Sequence, residues 1–295
     1  MKQRVLTLLT LTSLLLVGAP VTAGAQPAWA PAATATVRPG SATITGSSIC
    51  TSNFVFTDGA GAVYLGQAAH CTSTADATSL DGCTNGTRPL GTPVRVAGAS
   101  HPGTMVYNSW IAMQQRGETD LNTCVFNDFA LVKLDPQDHG VVNPSVRFWG
   151  GPTGTVPTTF DGAEVFGFGS TIGGGRVTPH PKTGVSLRQV AGGWTHILAL
   201  QPPGISGDSG SGVLDGQGRA FGVLSTYTAR RGINGASDLS RMLDYMKASG
   251  FGADITLANG TEPFVLPNRP TAPAQDPLGA LLDDLLGGLL RPLGL

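Results

Sequence analysis

The amino-acid sequence predicts an all-β protein, and three observations support this prediction. The 295 residues include 42 glycines and 21 prolines, so turns must interrupt the chain often. Short apolar runs recur between these turns and have the length and residue types of β-strands. Before the C-terminal tail, only one segment has the apolar spacing of a helix.

The predicted strands follow the apolar runs in chain order. Each run is bounded by the Gly, Pro, Asn, Asp or Ser residues that favour turns. The runs are Asn53–Phe56, Ala62–Leu65, Phe129–Leu134, Glu164–Phe168, Thr195–Leu200 and Ala220–Leu224.

The predicted helix follows the last of these strands. Asp238 can cap its first turn, and Gly250 can end it. The apolar residues at helical spacing are Leu239, Met242, Leu243 and Met246.

The start of the chain has the pattern of a signal peptide, which we assign to residues 1–25. Two basic residues precede an apolar stretch from Val5 to Val17, and Ala23-Gly24-Ala25 matches the small-x-small pattern that signal peptidases cut. We therefore expect a secreted protein whose mature chain begins at Gln26 with a short N-terminal segment, residues 26–40.

The C-terminal end divides into two segments. Residues 256–277 are rich in proline and predict an extended linker. Residues 278–295 place leucines at helical spacing opposite Asp283 and Asp284, which predicts an amphipathic segment that contacts the folded domain, a protein partner or a membrane surface. The alternative is a frayed or processed tail.

Composition and cysteine spacing limit the partners. Charged residues make up 13% of the chain and the net charge is −1, so we expect no nucleic-acid partner. The four cysteines of an exported chain should be oxidised, and three pairings are possible. The chain has neither C-x-x-C nor H-E-x-x-H, so we expect no metal and no cofactor.

A serine in a glycine-rich turn marks a candidate active site, at Gly207-Asp208-Ser209-Gly210-Ser211-Gly212. A serine hydroxyl becomes a strong nucleophile only beside a base with a pKa near neutrality, which a buried carboxylate orients. His70, in Ala68-Ala69-His70-Cys71, and Asp128, at the head of an apolar run, can supply these groups. The chain order is then His, Asp, Ser.

Chain order also separates the other folds that use a catalytic serine. The α/β-hydrolases place the histidine after the nucleophile, whereas all five histidines here precede Ser209. The subtilisin order would need Asp58 before His70, but Asp58 lies in the turn-like run 57–61. We therefore favour His70, Asp128 and Ser209.

These motifs resemble those of the chymotrypsin/trypsin family of serine peptidases, over about residues 41–255. The resemblance implies two six-stranded antiparallel β-barrels with a C-terminal helix. The first barrel would span 41–145 and carry His70 and Asp128, and the second, with the helix, would span 146–255 and carry Ser209.

The resemblance also selects one disulfide pairing. In members of the family a bridge ties the residue after the histidine to a cysteine on the preceding strand. This implies a bridge between Cys50 and Cys71, which leaves Cys83 to pair with Cys124.

The resemblance implies a role for each residue of the triad. Ser209 attacks the scissile carbonyl, His70 carries the proton, and Asp128 orients the imidazole. The backbone N–H groups of Gly207 and Ser209 would form the oxyanion hole.

Substrate-binding residues follow from the same resemblance. The strand with Ser225, Thr226 and Tyr227 would pair with an extended polypeptide substrate. Pro203 stands six residues before Ser209, where trypsin-like members place an aspartate, so we do not expect cleavage after Lys or Arg. Tyr227 stands where many members keep a glycine that opens the pocket.

Asp208 requires a partner that the motif does not contain. Many animal members pair this aspartate with the new amino terminus of an Ile-Val-Gly-Gly sequence, which is absent from this chain. Because an unpaired buried carboxylate is costly, we expect another cation or several hydrogen bonds at Asp208.

These observations together predict a monomeric, secreted serine endopeptidase that needs no cofactor. Two alternatives remain at this stage. A relative of the same fold without catalytic activity would act as a binding module, and an esterase would use the same triad on acyl esters.

Overall fold

Two antiparallel β-sheets make up the folded part of the chain in the computed structural model, which describes residues 27–75, 79–156, 161–173, 176–228 and 232–266. The predicted signal peptide at 1–25 and the leucine-rich tail at 278–295 lie outside the described residues. Residues up to Phe264 form one unit. Val265–Leu295 form a second, of which only Val265 and Leu266 are described, and both are exposed.

The first sheet contains eight strands, arranged in the order β14-β3-β4-β7-β6-β5-β1-β2. Its strands are β1 (Ala42–Thr45), β2 (Ser48–Thr51), β3 (Val55–Thr57), β4 (Val63–Gln67), β5 (Pro93–Val96), β6 (Gly103–Asn108), β7 (Ala130–Lys133) and β14 (Thr256–Leu257).

This sheet differs from the closed six-stranded barrel that the resemblance implied, since no ladder joins its two edge strands within the described residues. One edge strand, β2, instead bonds outside its sheet, where the Thr51 N–H donates to Ser209 O at 2.8 Å. The other edge is occupied by β14, which returns from the end of the folded unit to pair with β3.

The second sheet closes into a six-stranded barrel, in the order β10-β13-β12-β11-β8-β9. Its strands are β8 (Glu164–Gly173), β9 (Arg176–Val190), β10 (Thr195–Gln201), β11 (Gly212–Asp215), β12 (Ala220–Thr228) and β13 (Ile233–Asp238). The all-β prediction is confirmed, and each of the six predicted runs overlaps a strand.

In the part of the chain that the structure describes, three α-helices accompany the sheets: α1 (Ser109–Arg116), α2 (Leu121–Phe126) and α3 (Leu239–Ala248). The predicted helix is α3, and the Asp238 carboxylate accepts a hydrogen bond from the Arg241 N–H at its first turn. The two shorter helices were not predicted from the sequence. Asn108 and Asp120 cap their first turns in the same way. Within the described residues, no helix has the length and apolar character needed to cross a membrane.

The main core joins aromatic side chains from both sheets. We call the part of the folded unit around the first sheet the first half and the part around the closed barrel the second half. One buried cluster contains Phe54 and Phe129 of the first half and Phe166 of the second half. Burying an aromatic side chain of this size stabilises the folded state by about 1.5–3 kcal/mol relative to leaving it exposed to water. This shared core holds the two halves together and so fixes the cleft between them.

Residues 256–264 pack against the folded unit, although the sequence predicted an extended linker from residue 256 onward. Ala258 is buried, and Glu262 forms an ion pair with Arg38 at 2.8 Å. Phe264 packs edge-to-face on Phe166, with the ring centroids 5.3 Å apart. Leu257 and Phe264 are also partly buried against the core. This segment is therefore part of the folded unit and not a free linker.

Both disulfides join the pairs that the resemblance implied. Cys50 is bonded to Cys71 and Cys83 to Cys124, and no described cysteine is free. The first bridge ties β2 to the short 3-10 turn Ala69–Thr72. The second ties α2 to the loop before β5.

Candidate active site

His70 lies in the 3-10 turn that follows β4, next to the Cys71 half of a disulfide. Its backbone N–H donates to Asp128 Oδ1 at 2.9 Å, and its ring Nδ1 lies 2.6 Å from Asp128 Oδ2. Two contacts with one carboxylate fix both the turn and the ring. The structure therefore brings together two of the three residues that the sequence predicted for catalysis.

Asp128 is buried two residues before β7 and receives a third hydrogen bond from the closed barrel. The Ser225 hydroxyl donates to Asp128 Oδ2 at 2.5 Å. Ser225 was expected to anchor substrate through its backbone, so this side-chain contact is additional. A carboxylate that accepts three hydrogen bonds stays ionised and in place after leaving water.

The pKa values of the two groups move in opposite directions. Burial disfavours the charged form of His70, but the negative charge of Asp128 and its hydrogen bond outweigh burial and raise the pKa of His70 above its ordinary value. Burial opposes ionisation of Asp128, yet the charge of His70 and the hydrogen bonds from His70 and Ser225 lower the pKa of Asp128. Both shifts favour an imidazolium held against a carboxylate.

Ser209 follows a tight turn whose shape depends on Gly207. The Asp208 N–H donates to Ile205 O at 3.0 Å, and Gly207 has a φ of +96°. A positive φ at the third position is the mark of a type II turn, which favours glycine there. The turn therefore fixes how the N–H of Gly207 is presented.

Ser209 and His70 line the same cleft, which has a volume of about 850 Å³. Residues 47–50 and 225–227 form other parts of its wall. Among the described residues, no hydrogen bond joins the Ser209 hydroxyl to His70. Such bonds are often long in unliganded enzymes and shorten when substrate binds.

The partner of Asp208 is Lys182, on β9. The Lys182 Nζ lies 2.9 Å from Asp208 Oδ2, and both side chains are almost completely buried. The same ammonium donates to Pro203 O at 3.0 Å and lies 2.8 Å from His180 Nε2. Asp208 Oδ2 also accepts from the Ile205 N–H at 3.1 Å. Lys182 is thus the cation whose presence was expected from the sequence but whose position was not.

Residues of the first half also contact the turn around Ser209 directly. The Thr51 hydroxyl donates to Gly207 O at 2.7 Å and accepts from the Ser170 N–H at 3.2 Å. The Asn53 amide donates to Gly210 O at 3.1 Å. With the bond from the Thr51 N–H to Ser209 O, three hydrogen bonds from residues 51–53 hold residues 207–210.

The other predicted substrate-binding residues occupy different positions. Thr226 and Tyr227 line the cleft, and Tyr227 is exposed. A smaller recess lies beside the cleft, lined by residues 204–205, 209, 224–227 and 234. Pro203 lines neither the cleft nor this recess, and its carbonyl oxygen accepts a hydrogen bond from Lys182 instead. The expected place of Pro203 in the pocket is therefore not seen in the described structure.

Potential metal ligands come close together in two places among the described residues. One group is Cys50, His70 and Cys71, and the other is Asp81, Cys83 and Cys124. Each group contains both sulfurs of a disulfide, and a disulfide sulfur is not the thiolate that binds metal. These residues do not form a donor set suited to a metal ion.

Comparison with known proteins gives a result for structure but not for sequence. No protein-family model matches the chain, and no curated protein matches it. Protease A of Thermobifida fusca superposes with a TM-score of 0.50 at 19% identity, covering 76% of this chain and 99% of that protein. A Nocardiopsis protease superposes with a TM-score of 0.47 at 18% sequence identity, and the match covers 75% of this chain and 98% of that protein.

The chain has the chymotrypsin-like fold. The chymotrypsin-like arrangement accounts for the place of the cleft, between the eight-stranded sheet and the closed barrel. It also agrees with the origin of the candidate residues, since His70 and Asp128 come from the first half and Ser209 from the second.

Removing the cation beside Asp208 should destabilise the protein. In Lys182→Met the buried Asp208 carboxylate loses the cation at 2.9 Å, while the His180 ring nitrogen stays 3.9 Å from the same oxygen. We therefore expect the free energy of unfolding to fall by about 3–5 kcal/mol. Urea titration followed by intrinsic fluorescence would measure the change.

Two further variants make this test specific. Lys182→Met combined with Asp208→Asn removes the uncompensated charge and should recover most of the loss. Lys247→Met, at an exposed position of α3, should change little. A stability of Lys182→Met equal to that of the parent protein would contradict the assigned ion pair.

Proposed function

We propose that this chain is a secreted serine endopeptidase, which hydrolyses peptide bonds with Ser209, His70 and Asp128. The observation that supports it most is the contact between His70 Nδ1 and Asp128 Oδ2, at 2.6 Å, in the same cleft as a serine held by a type II turn. A base, an orienting carboxylate and an accessible hydroxyl are the groups that acyl transfer needs.

The hydrogen bond to Asp128 prepares His70 for its role as a base. If Nδ1 carries the proton that Asp128 accepts, the other ring nitrogen, Nε2, keeps a free electron pair. Burial opposes the ionisation of Asp128, but the charge of His70 and the hydrogen bonds from His70 and Ser225 lower the pKa of Asp128. The carboxylate can then stabilise the imidazolium that forms when His70 takes up a proton.

In the acylation step, Ser209 attacks the substrate and His70 moves the proton. The Ser209 Oγ forms a bond to the carbonyl carbon of the scissile peptide, and His70 Nε2 takes the hydroxyl proton. The N–H groups of Gly207 and Ser209 stabilise the resulting oxyanion. The carbon–nitrogen bond then breaks, and His70 gives its proton to the leaving amine.

Deacylation repeats these steps with a water molecule in place of the serine hydroxyl. His70 takes a proton from the attacking water, the oxyanion forms again, and the bond to Ser209 Oγ breaks as His70 returns the proton. The product acid leaves, and the serine hydroxyl is restored. All of these steps use groups of the chain, the substrate and water.

The strand after the nucleophile offers backbone groups to an extended substrate. In β12 the ladder to β11 ends at Val223, whereas the ladder to β13 continues to Thr228. Residues 225–227 are therefore unpaired on the side of β11 within the described ladder. A peptide can add to this side as a further strand.

The buried ion pair supports an enzyme that needs no cut amino terminus for activity. Lys182 occupies the partner position at Asp208 and is supplied by β9 rather than by a terminal amine. Residues 27–40 support the same view, because Ala30 and Val37 form backbone hydrogen bonds to Val142 and Val141. Export is proposed from the predicted signal peptide and is consistent with two disulfides.

A fluorophosphonate probe tests the proposal directly. We expect one modified residue, Ser209, in the parent protein and none in Ser209→Ala, with the site located by mass spectrometry. His70→Ala should react about 10⁴-fold or more slowly, because the base that activates the hydroxyl is lost. A folded, disulfide-bonded protein without labelling would contradict the proposal and favour a binding module of the same fold.

The proposed role of His70 as a base predicts a defined pH dependence. Because its pKa is raised, peptidase activity should be full above that pKa and fall as the pH decreases through it, with a midpoint above 6.5. In Asp128→Asn the charge that raises the pKa is gone, so the midpoint should move to lower pH while the rate drops by about 10⁴. A parent midpoint below 6.5 in kcat/KM profiles would contradict this assignment.

The Thr51 hydroxyl should affect turnover although it lies on the other sheet. Thr51→Val removes the hydrogen bond to Gly207 O, so we expect kcat to fall about tenfold while KM changes little. Thr51→Ser keeps the hydroxyl and should restore the rate. Equal activity of the Val and Ser variants in steady-state kinetics would show that the bond does not support the oxyanion hole.

A further inference from the structure

A narrow recess opens beside Ser209, next to the main cleft. Residues 204–205 form one wall and residues 224–227 the other, with Asn234 of β13 between them. Its volume is about 10 Å³, against about 850 Å³ for the cleft. A space of this size holds about one water molecule.

Asn234 closes the recess with hydrogen bonds to both walls. Its Oδ1 accepts from the Gly204 N–H at 2.8 Å, and its Nδ2 donates to Gly204 O at 3.0 Å and to Thr226 O at 3.4 Å. Only 1% of Asn234 is exposed. A side chain bound in this way cannot turn aside without breaking several buried hydrogen bonds.

The walls around Asn234 are also closely packed. A Cβ placed on Gly204 would lie 2.5 Å from Leu224 Cδ2, and one on Gly235 would lie 2.3 Å from Thr226 Oγ1. These approaches are shorter than any van der Waals contact. The residues around the recess are therefore closely packed at these two positions.

The chemistry of the lining argues against a charged ligand. The lining contains no acidic or basic side chain. Lys182, the buried cation beside Asp208, is already bonded to Asp208 and Pro203 O. A charged side chain in the recess would lose its hydration without gaining a partner, which is strongly unfavourable.

We propose that Asn234 sets the depth of the pocket for the residue before the cleaved bond, and that the enzyme cleaves after glycine or alanine. The proposal rests on the peptidase function proposed above. A methyl group is close in size to the water that the recess can hold, whereas a leucine or phenylalanine side chain would have to displace Asn234. Misfit of one methylene in a tight pocket changes kcat/KM by about 10–200-fold.

A series of peptide substrates that differ only at this residue tests the proposal. We expect the highest kcat/KM for Ala or Gly, and values at least about 100-fold lower for Leu, Phe, Lys and Glu. Asn234→Gly removes the closing amide, so kcat/KM for Leu or Phe relative to Ala should rise by at least about tenfold. Peptidyl phosphonates with Ala or Phe side chains should show the same order in their rates of labelling at Ser209.

Asn143→Ala is the matched control. Asn143 is also buried, and its amide donates to Ala30 O and Thr261 Oγ1, away from the recess. It should lower stability while the ratio of Phe to Ala substrates stays at the parent value.

The outcomes separate this proposal from the peptidase function. Labelling of Ser209 together with a parent preference for a large or charged residue would overturn the pocket assignment alone. An unchanged Phe-to-Ala ratio in folded Asn234→Gly would do the same. No turnover and no labelling with any probe would overturn both.

Discussion

The ion pair between Lys182 and Asp208 is the constraint on which the site most depends. Both charged groups are buried, and the attraction between them offsets the free-energy cost of removing each from water. Asp208 also bonds the Ile205 N–H, which closes the turn where Gly207 takes its left-handed conformation. The charge pair thereby constrains the path of the backbone just before Ser209.

The docking of the two halves supplies the other constraints. The carboxylate of Asp128 belongs to the first sheet, yet one of its donors, Ser225, belongs to the barrel. The reverse holds for the turn around Ser209, which Thr51 and Asn53 of the first half hold by side-chain and backbone hydrogen bonds. Neither half contains a complete candidate site, so the shared aromatic core that keeps the halves together also aligns the candidate residues.

The sequence predicted the features whose signal is local. Apolar runs between turn residues located six strands, and the Gly-rich turn, His70 and Asp128 pointed to a single cleft. Lys182 could not be found this way, because its partner lies on a different segment and the surrounding run of Pro, Lys, Thr and Gly is typical of a surface. The shorter helices were missed for a related reason. Each spans about two turns or less and gains its stability from capping and packing rather than from apolar spacing.

The return of the chain to β3 after α3 protects a vulnerable part of the first sheet. All three residues of β3 are buried, and their outward backbone groups are covered by a strand of only two residues. An apolar strand with an uncovered edge is a template for pairing between molecules and for aggregation. Thr256 and Leu257 therefore shield this edge, and a chain cut before them would leave β3 open to pairing with other molecules.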